Sequence, residues 1–103
     1  MIVHGMFDAT LPYDGGVVTG PCGPTETKSI DDTVDFWLDA NGCSPIPSRF
    51  IGSNYTRDAY ACPKNDDVVL ISITNGEHEW PGPNNSGFEA SKAIWSFFDQ
   101  HSL

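Results

Sequence analysis

The run Val68–Ile73 constrains the fold of this chain more than any other stretch. It is apolar at nearly every position and rich in β-branched residues, with turn formers on either side, so it leaves no face for water. That pattern predicts a strand covered on both faces. The strand runs through Thr74 into a glycine-bounded loop, Asn75-Gly76-Glu77-His78-Glu79-Trp80-Pro81-Gly82. His78 therefore falls just beyond a strand's carboxyl end. In open α/β sheets chemistry is placed there, because the loops form a crevice on a rigid scaffold.

The start of the chain repeats the arrangement. Ile2-Val3-His4 reads as a short apolar strand that breaks at Gly5 and delivers Asp8 just past its end. Two strand ends thus offer an acid and a base. Between them, Met6 to Pro24 holds Pro12, Gly15, Gly16, Gly20, Pro21, Gly23 and Pro24, and so many breakers predict an irregular segment forming a wall of the site.

A helix is predicted from about Ser29 to Asn41. Ser29 with Asp32 resembles a capping box, Ile30, Val34, Trp37 and Leu38 share one face as core, and Gly42 is the stop. Cys43 to Ser53 reads as a proline-rich crossing. Tyr55 to Cys62 then pairs as a hairpin with Val68 to Thr74 through the turn Pro63-Lys64-Asn65-Asp66. A second helix is expected from Ser86 to His101, with Ser86 and Glu89 as capping box, Ala90, Ile94, Phe97 and Phe98 as packing face, and His101 at the negative end of the helix dipole.

At 39% hydrophobic and 12% aromatic in 103 residues, the composition is that of one small globular domain or a piece of a larger one. Five basic residues against 14 acidic give a formal charge of −9. A phosphate backbone would repel such a surface, which argues against nucleic acid as a partner. No apolar run approaches a membrane span, no leader pattern is present, and no cofactor is called for. Met1 lies directly against strand-like sequence, so the amino-terminal half of the domain is expected to be missing.

Cys22, Cys43 and Cys62 match no zinc pattern; they read as free thiols, or as one bridge between the loop positions Cys43 and Cys62, which would imply export. A metal site from His4, Asp8 and His78 has no recognisable ligand spacing. Asn54-Tyr55-Thr56 and Asn84-Asn85-Ser86 match the glycosylation pattern, which chance produces often.

An Asp followed by a His on successive strand ends suits the last two members of a Ser, Asp, His triad. The motifs His4-Gly5-Met6-Phe7-Asp8, Leu11-Pro12-Tyr13-Asp14-Gly15-Gly16, Phe36-Trp37 with Asn41-Gly42-Cys43, Gly76-Glu77-His78-Glu79-Trp80-Pro81-Gly82 and Ile94-Trp95-Ser96-Phe97-Phe98 occur in that order. Together they resemble the carboxyl-terminal part of the polyhydroxybutyrate depolymerase and feruloyl esterase-like group of α/β-hydrolases. The resemblance implies an α/β fold, the last strands and helices of an α/β-hydrolase sheet. It implies Asp8 as triad acid, His78 as triad base, Trp80 at the rim of the site, a Cys43 to Cys62 bridge, an ester substrate (polyester or acylated carbohydrate) and a secreted or periplasmic location. The group's nucleophile sits in a GxSxG elbow, and no such pattern occurs here; neither Ser72 nor Ser86 is flanked in that way. Without the elbow there is neither acyl acceptor nor oxyanion hole, so the chain by itself is expected to be inactive. The alternative is a non-enzymatic carbohydrate or polyester binder using Trp80, Tyr13 and Phe7.

Overall fold

The computed structural model describes residues 1–101. In chain order these form β1 (Ile2–Gly5), β2 (Gly16–Gly20), β3 (Gly23–Thr27), α1 (Ile30–Asn41), β4 (Ser48–Ile51), β5 (Tyr55–Tyr60), β6 (Val68–Ile73) and α2 (Ala90–Gln100). Four strands make one sheet in the order β1-β6-β5-β4, and β2 and β3 form a separate two-stranded sheet. All six residues of β6 are buried, as its composition demands.

Successive side chains of β6 point to opposite faces and feed two cores. Val68 and Leu70 pack with Ile30, Val34 and Leu38 of α1. Val69, Ile71 and Ile73 pack with Phe88 and Ala90, joined by the half-buried Ala93, Ile94 and Phe97 of α2. Fully burying one such aliphatic side chain stabilises by roughly 1.5–3 kcal/mol, so this one strand supplies much of what holds so small a domain together.

The expected carboxyl-terminal portion of an α/β-hydrolase sheet is not what forms. The described residues make a small compact domain of mostly β-strands in two sheets with two short helices. Only β1 and β6 run parallel; β4 with β5, β5 with β6, and β2 with β3 are all antiparallel. Short connections join the antiparallel neighbours, 21–22 between β2 and β3, 52–54 between β4 and β5 and 61–67 between β5 and β6, whereas a parallel sheet needs long crossovers.

Four local expectations change as well. The segment expected to be irregular contains the β2–β3 hairpin: Gly20 faces Gly23 across a two-residue loop, and Gly23 takes the left-handed region, φ 99°. Between the end pairs Gly16 with Thr27 and Gly20 with Gly23, Val17, Val18 and Thr19 pair with Glu26, Thr25 and Pro24. The proline-rich crossing contains β4, an exposed edge strand that begins just after Pro47, where proline's missing N–H costs no ladder bond. Trp37 is 47% exposed and Phe98 also lies at the surface, so the cores are narrower than the apolar stripes suggest. The second helix begins at Ala90 and not Ser86, because Gly82 and Asn85 turn the chain first: the Gly82 and Ser86 N–H groups donate to Asn85 Oδ1 at 2.8 and 2.6 Å.

Other local readings match. The Asp32 N–H donates to Ser29 Oγ at 3.0 Å and Gly42, φ 66°, ends α1. His101 Nδ1 donates to the Phe97 carbonyl at 2.7 Å at the end of α2. A disulfide joins Cys43 to Cys62 with α-carbons 4.1 Å apart, and Cys22 is free and exposed. The bridge is consistent with an extracellular, oxidising location. No helix among the described residues is long and apolar enough to cross a membrane.

Candidate active site

The parallel pairing of β1 with β6 brings the two strand ends level, with Gly5 opposite Ile73. Backbone bonds then stitch the two loops together. The Ile73 carbonyl accepts from the Met6 and Gly76 N–H groups at 3.0 and 3.1 Å, and the Gly76 carbonyl accepts from Phe7 N–H at 2.9 Å. A β-carbon on Gly5 would collide with the Gly76 carbonyl, and one on Gly76 would lie 2.9 Å from the Gly5 α-carbon. Only glycine at both positions lets the loops approach this closely.

At this junction Asp8 Oδ2 lies 2.8 Å from His78 Nδ1. The Asp8 side chain is only 4% exposed, and its other oxygen accepts from the Thr10 and Leu11 N–H groups at 2.9 and 2.8 Å. Burial pushes the Asp8 carboxyl up, but the Leu11 N–H, the His78 ring and the Thr10 N–H together outweigh it and hold the group below its ordinary value. An ionised carboxylate only accepts, so the shared proton sits on His78 Nδ1. In the neutral ring Nε2 then carries the lone pair, on a side chain 54% exposed.

His78 opens on a cavity of about 400 Å³ whose walls include His4, Leu11, Glu79 and Trp80. The Trp80 ring is held there by its Nε1–H, which donates to Ser91 Oγ at 3.0 Å. Tyr13, expected to share the binding surface, does not line this cavity. Its hydroxyl lies 2.8 Å from Ser72 Oγ, and its ring faces a separate cavity of about 440 Å³ beside Arg49 and Asp58. Tyr13 also accepts from the Ile30 N–H through its carbonyl, so it ties the loop to α1 and β6. Burial raises its phenol above the ordinary value.

Two features escaped the sequence reading. Buried Asp58 is gripped by Arg49 through two bonds, Nε–H to Oδ1 at 2.6 Å and Nη2–H to Oδ2 at 2.9 Å. The signal was the unpredicted strand β4, which places Arg49 directly opposite Asp58. The other is the setting of His4, which the sequence offered only as a metal ligand beside Asp8 and His78: its Nε2 lies 2.8 Å from the Leu11 carbonyl and 3.5 Å from Asp8 Oδ2. Its spacing of four from Asp8 was visible, but which side chain it would meet depended on the loop.

Among the described residues no serine hydroxyl bonds to His78, and no group of three or more His, Cys, Asp or Glu could hold a metal ion. Ser72 is buried against Tyr13, and Ser86 Oγ donates to the Gly82 carbonyl at 3.4 Å. The arrangement is an imidazole oriented by a buried carboxylate. No family model, no curated protein and no solved structure matches the chain.

Proposed function

We propose that Asp8 and His78 are the acid and base of a serine carboxylic-ester hydrolase of the polyhydroxybutyrate depolymerase and feruloyl esterase-like kind. The nucleophile serine is carried on another polypeptide segment. The observation that carries this reading is the 2.8 Å bond from His78 Nδ1 to a buried Asp8 that accepts two further backbone N–H bonds, with His78 lining a cavity. In the reaction, His78 Nε2 takes the serine proton as Oγ attacks the ester carbonyl. It then returns that proton to the departing alcohol, leaving the acyl group on serine Oγ; water deprotonated by His78 attacks that ester, and the proton returns to Oγ as the acid leaves, while Asp8 steadies the imidazolium in both halves. Trp80 offers a fixed apolar wall for a polyester chain or an acylated sugar. The bridge between Cys43 and Cys62 suits a secreted or periplasmic enzyme.

The chain alone should release p-nitrophenol from p-nitrophenyl acetate no faster than free imidazole. Joined to a segment bearing a GxSxG serine it should turn over, and His78→Ala should abolish that turnover. Asp8→Asn should lower kcat by about 10⁴ through the wrong imidazole tautomer. Full activity in the joined His78→Ala variant would refute the assignment. A second reading, a carbohydrate or polyester binder, draws on the exposure of Phe7 and Trp80 on neighbouring loops. It predicts retention of the chain alone on insoluble polymer, lost on Trp80→Ala.

A further inference from the structure

Asp8 touches a second imidazole, and the geometry there is specific. His4 Nε2 lies 2.8 Å from the Leu11 carbonyl, and a carbonyl only accepts, so Nε2 carries the proton and Nδ1 the lone pair. The same nitrogen, Nε2, lies 3.5 Å from Asp8 Oδ2, close enough for electrostatic contact but without a hydrogen bond of its own. Leu11 is thus held from both sides: its N–H donates to Asp8 Oδ1 at 2.8 Å and its carbonyl accepts from His4. His4 itself is anchored, sitting on β1 in register with Ser72 of β6, with its side chain only 16% exposed.

We propose that His4 is a positioning residue for the Asp8–His78 pair, an inference that rests on the catalytic reading of that pair. The turn from Asp8 to Leu11 carries the two N–H groups that fix the carboxylate's rotation, at Thr10 and Leu11. By pinning the Leu11 carbonyl to β1, His4 keeps those N–H groups aimed at Oδ1. Oδ2 is then left facing His78. Without the pin the turn can swing, the carboxylate loses its fixed orientation, and His78 is no longer held with its proton on Nδ1. His4 bonds to no reacting atom, and the effect proposed for it passes through Leu11 and Asp8.

The test is a ¹H–¹⁵N correlation of the imidazole rings of the ¹⁵N-labelled 103-residue chain, at a pH above the ordinary imidazole range. In the wild type, His4 should be protonated on Nε2 and His78 on Nδ1. His4→Leu should turn His78 into a mixture of tautomers and speed exchange of its ring proton by about tenfold, the scale of one charge-assisted hydrogen bond. His4→Gln, whose amide can reach Leu11, should restore the wild-type His78 pattern. A His4 protonated on Nδ1 in the wild type would overturn the positioning role, as would an unchanged His78 in a folded His4→Leu. The wild-type tautomer decides the matter even where His4→Leu does not fold. A wild-type His78 protonated on Nε2 would instead bring down the catalytic reading itself, so the two failures are distinct.

Discussion

The junction of β1 with β6 and the β2–β3 hairpin are both built from short strands punctuated by glycine, yet they carry different loads. At the junction, the side chains of β6 are wholly buried, the loop glycines press against backbone, and a carboxylate is held out of water by three donors. The hairpin is exposed along most of its length, with open space around Gly16, Gly20 and Gly23. Secondary structure alone therefore says little about where stability and function reside. What separates the two regions is how much apolar surface each strand removes from water and how closely backbone meets backbone.

The sharpest test of that contrast is Gly5→Ala. Its methyl would land on the Gly76 carbonyl, so either strand end must move, and a loss of about 4 kcal/mol or more is expected in urea unfolding. Such a loss approaches the whole stability of a domain this size. A wild-type urea midpoint would show that the junction is looser than described. Ile71→Ala should come next, at roughly 2–5 kcal/mol, from lost burial plus the cavity left in the α2-side core.

Removing the bridge by Cys43→Ser with Cys62→Ser should cost about 3 kcal/mol, because the link spans 19 positions and restricts the unfolded chain. The same loss should follow from adding a reductant to the wild type, and no loss with either treatment would show that the bridge does not form in solution.

Asp8 gives a smaller effect with a definite pH signature. Its carboxyl titrates lower in the folded than in the unfolded state, so the unfolded chain binds the proton more readily. The resulting stability is fully present above the unfolded value of about 3.9 and is lost as pH falls through the folded value. The difference in urea midpoint between wild type and Asp8→Asn should therefore shrink as pH drops below about 4. A difference that widens with acid would contradict the bonding around Asp8. Smallest of all, Val17→Ala and Gly20→Ala in the hairpin should each change stability by no more than about 0.5 kcal/mol. A larger change would mean the hairpin is braced by contacts beyond its own pairing.

The chain's own pattern was enough for those features that depend on near neighbours. Five apolar residues in the six of β6 made it a buried strand, Ser29 and Gly42 bounded α1, and the run from Tyr55 to Ile73 made a hairpin, because capping, turning and burial are settled within a few residues. Asp8 and His78 could be named as a pair for the same reason: each follows the end of a short apolar strand. Tertiary structure alone decided the rest. The sheet is mostly antiparallel, and nothing within a strand states the direction of its neighbour. The β2–β3 hairpin emerged from a breaker-rich segment because glycines and prolines at strand ends read no differently from those of a loop. Trp37 and Phe98 stayed exposed because a helix shows more apolar positions than the facing sheet can cover. Tyr13 met Ser72 instead of the His78 cavity, and His4 met Leu11 and Asp8. Such contacts join a loop to a sheet, and their partners become neighbours only once β1 has paired with β6.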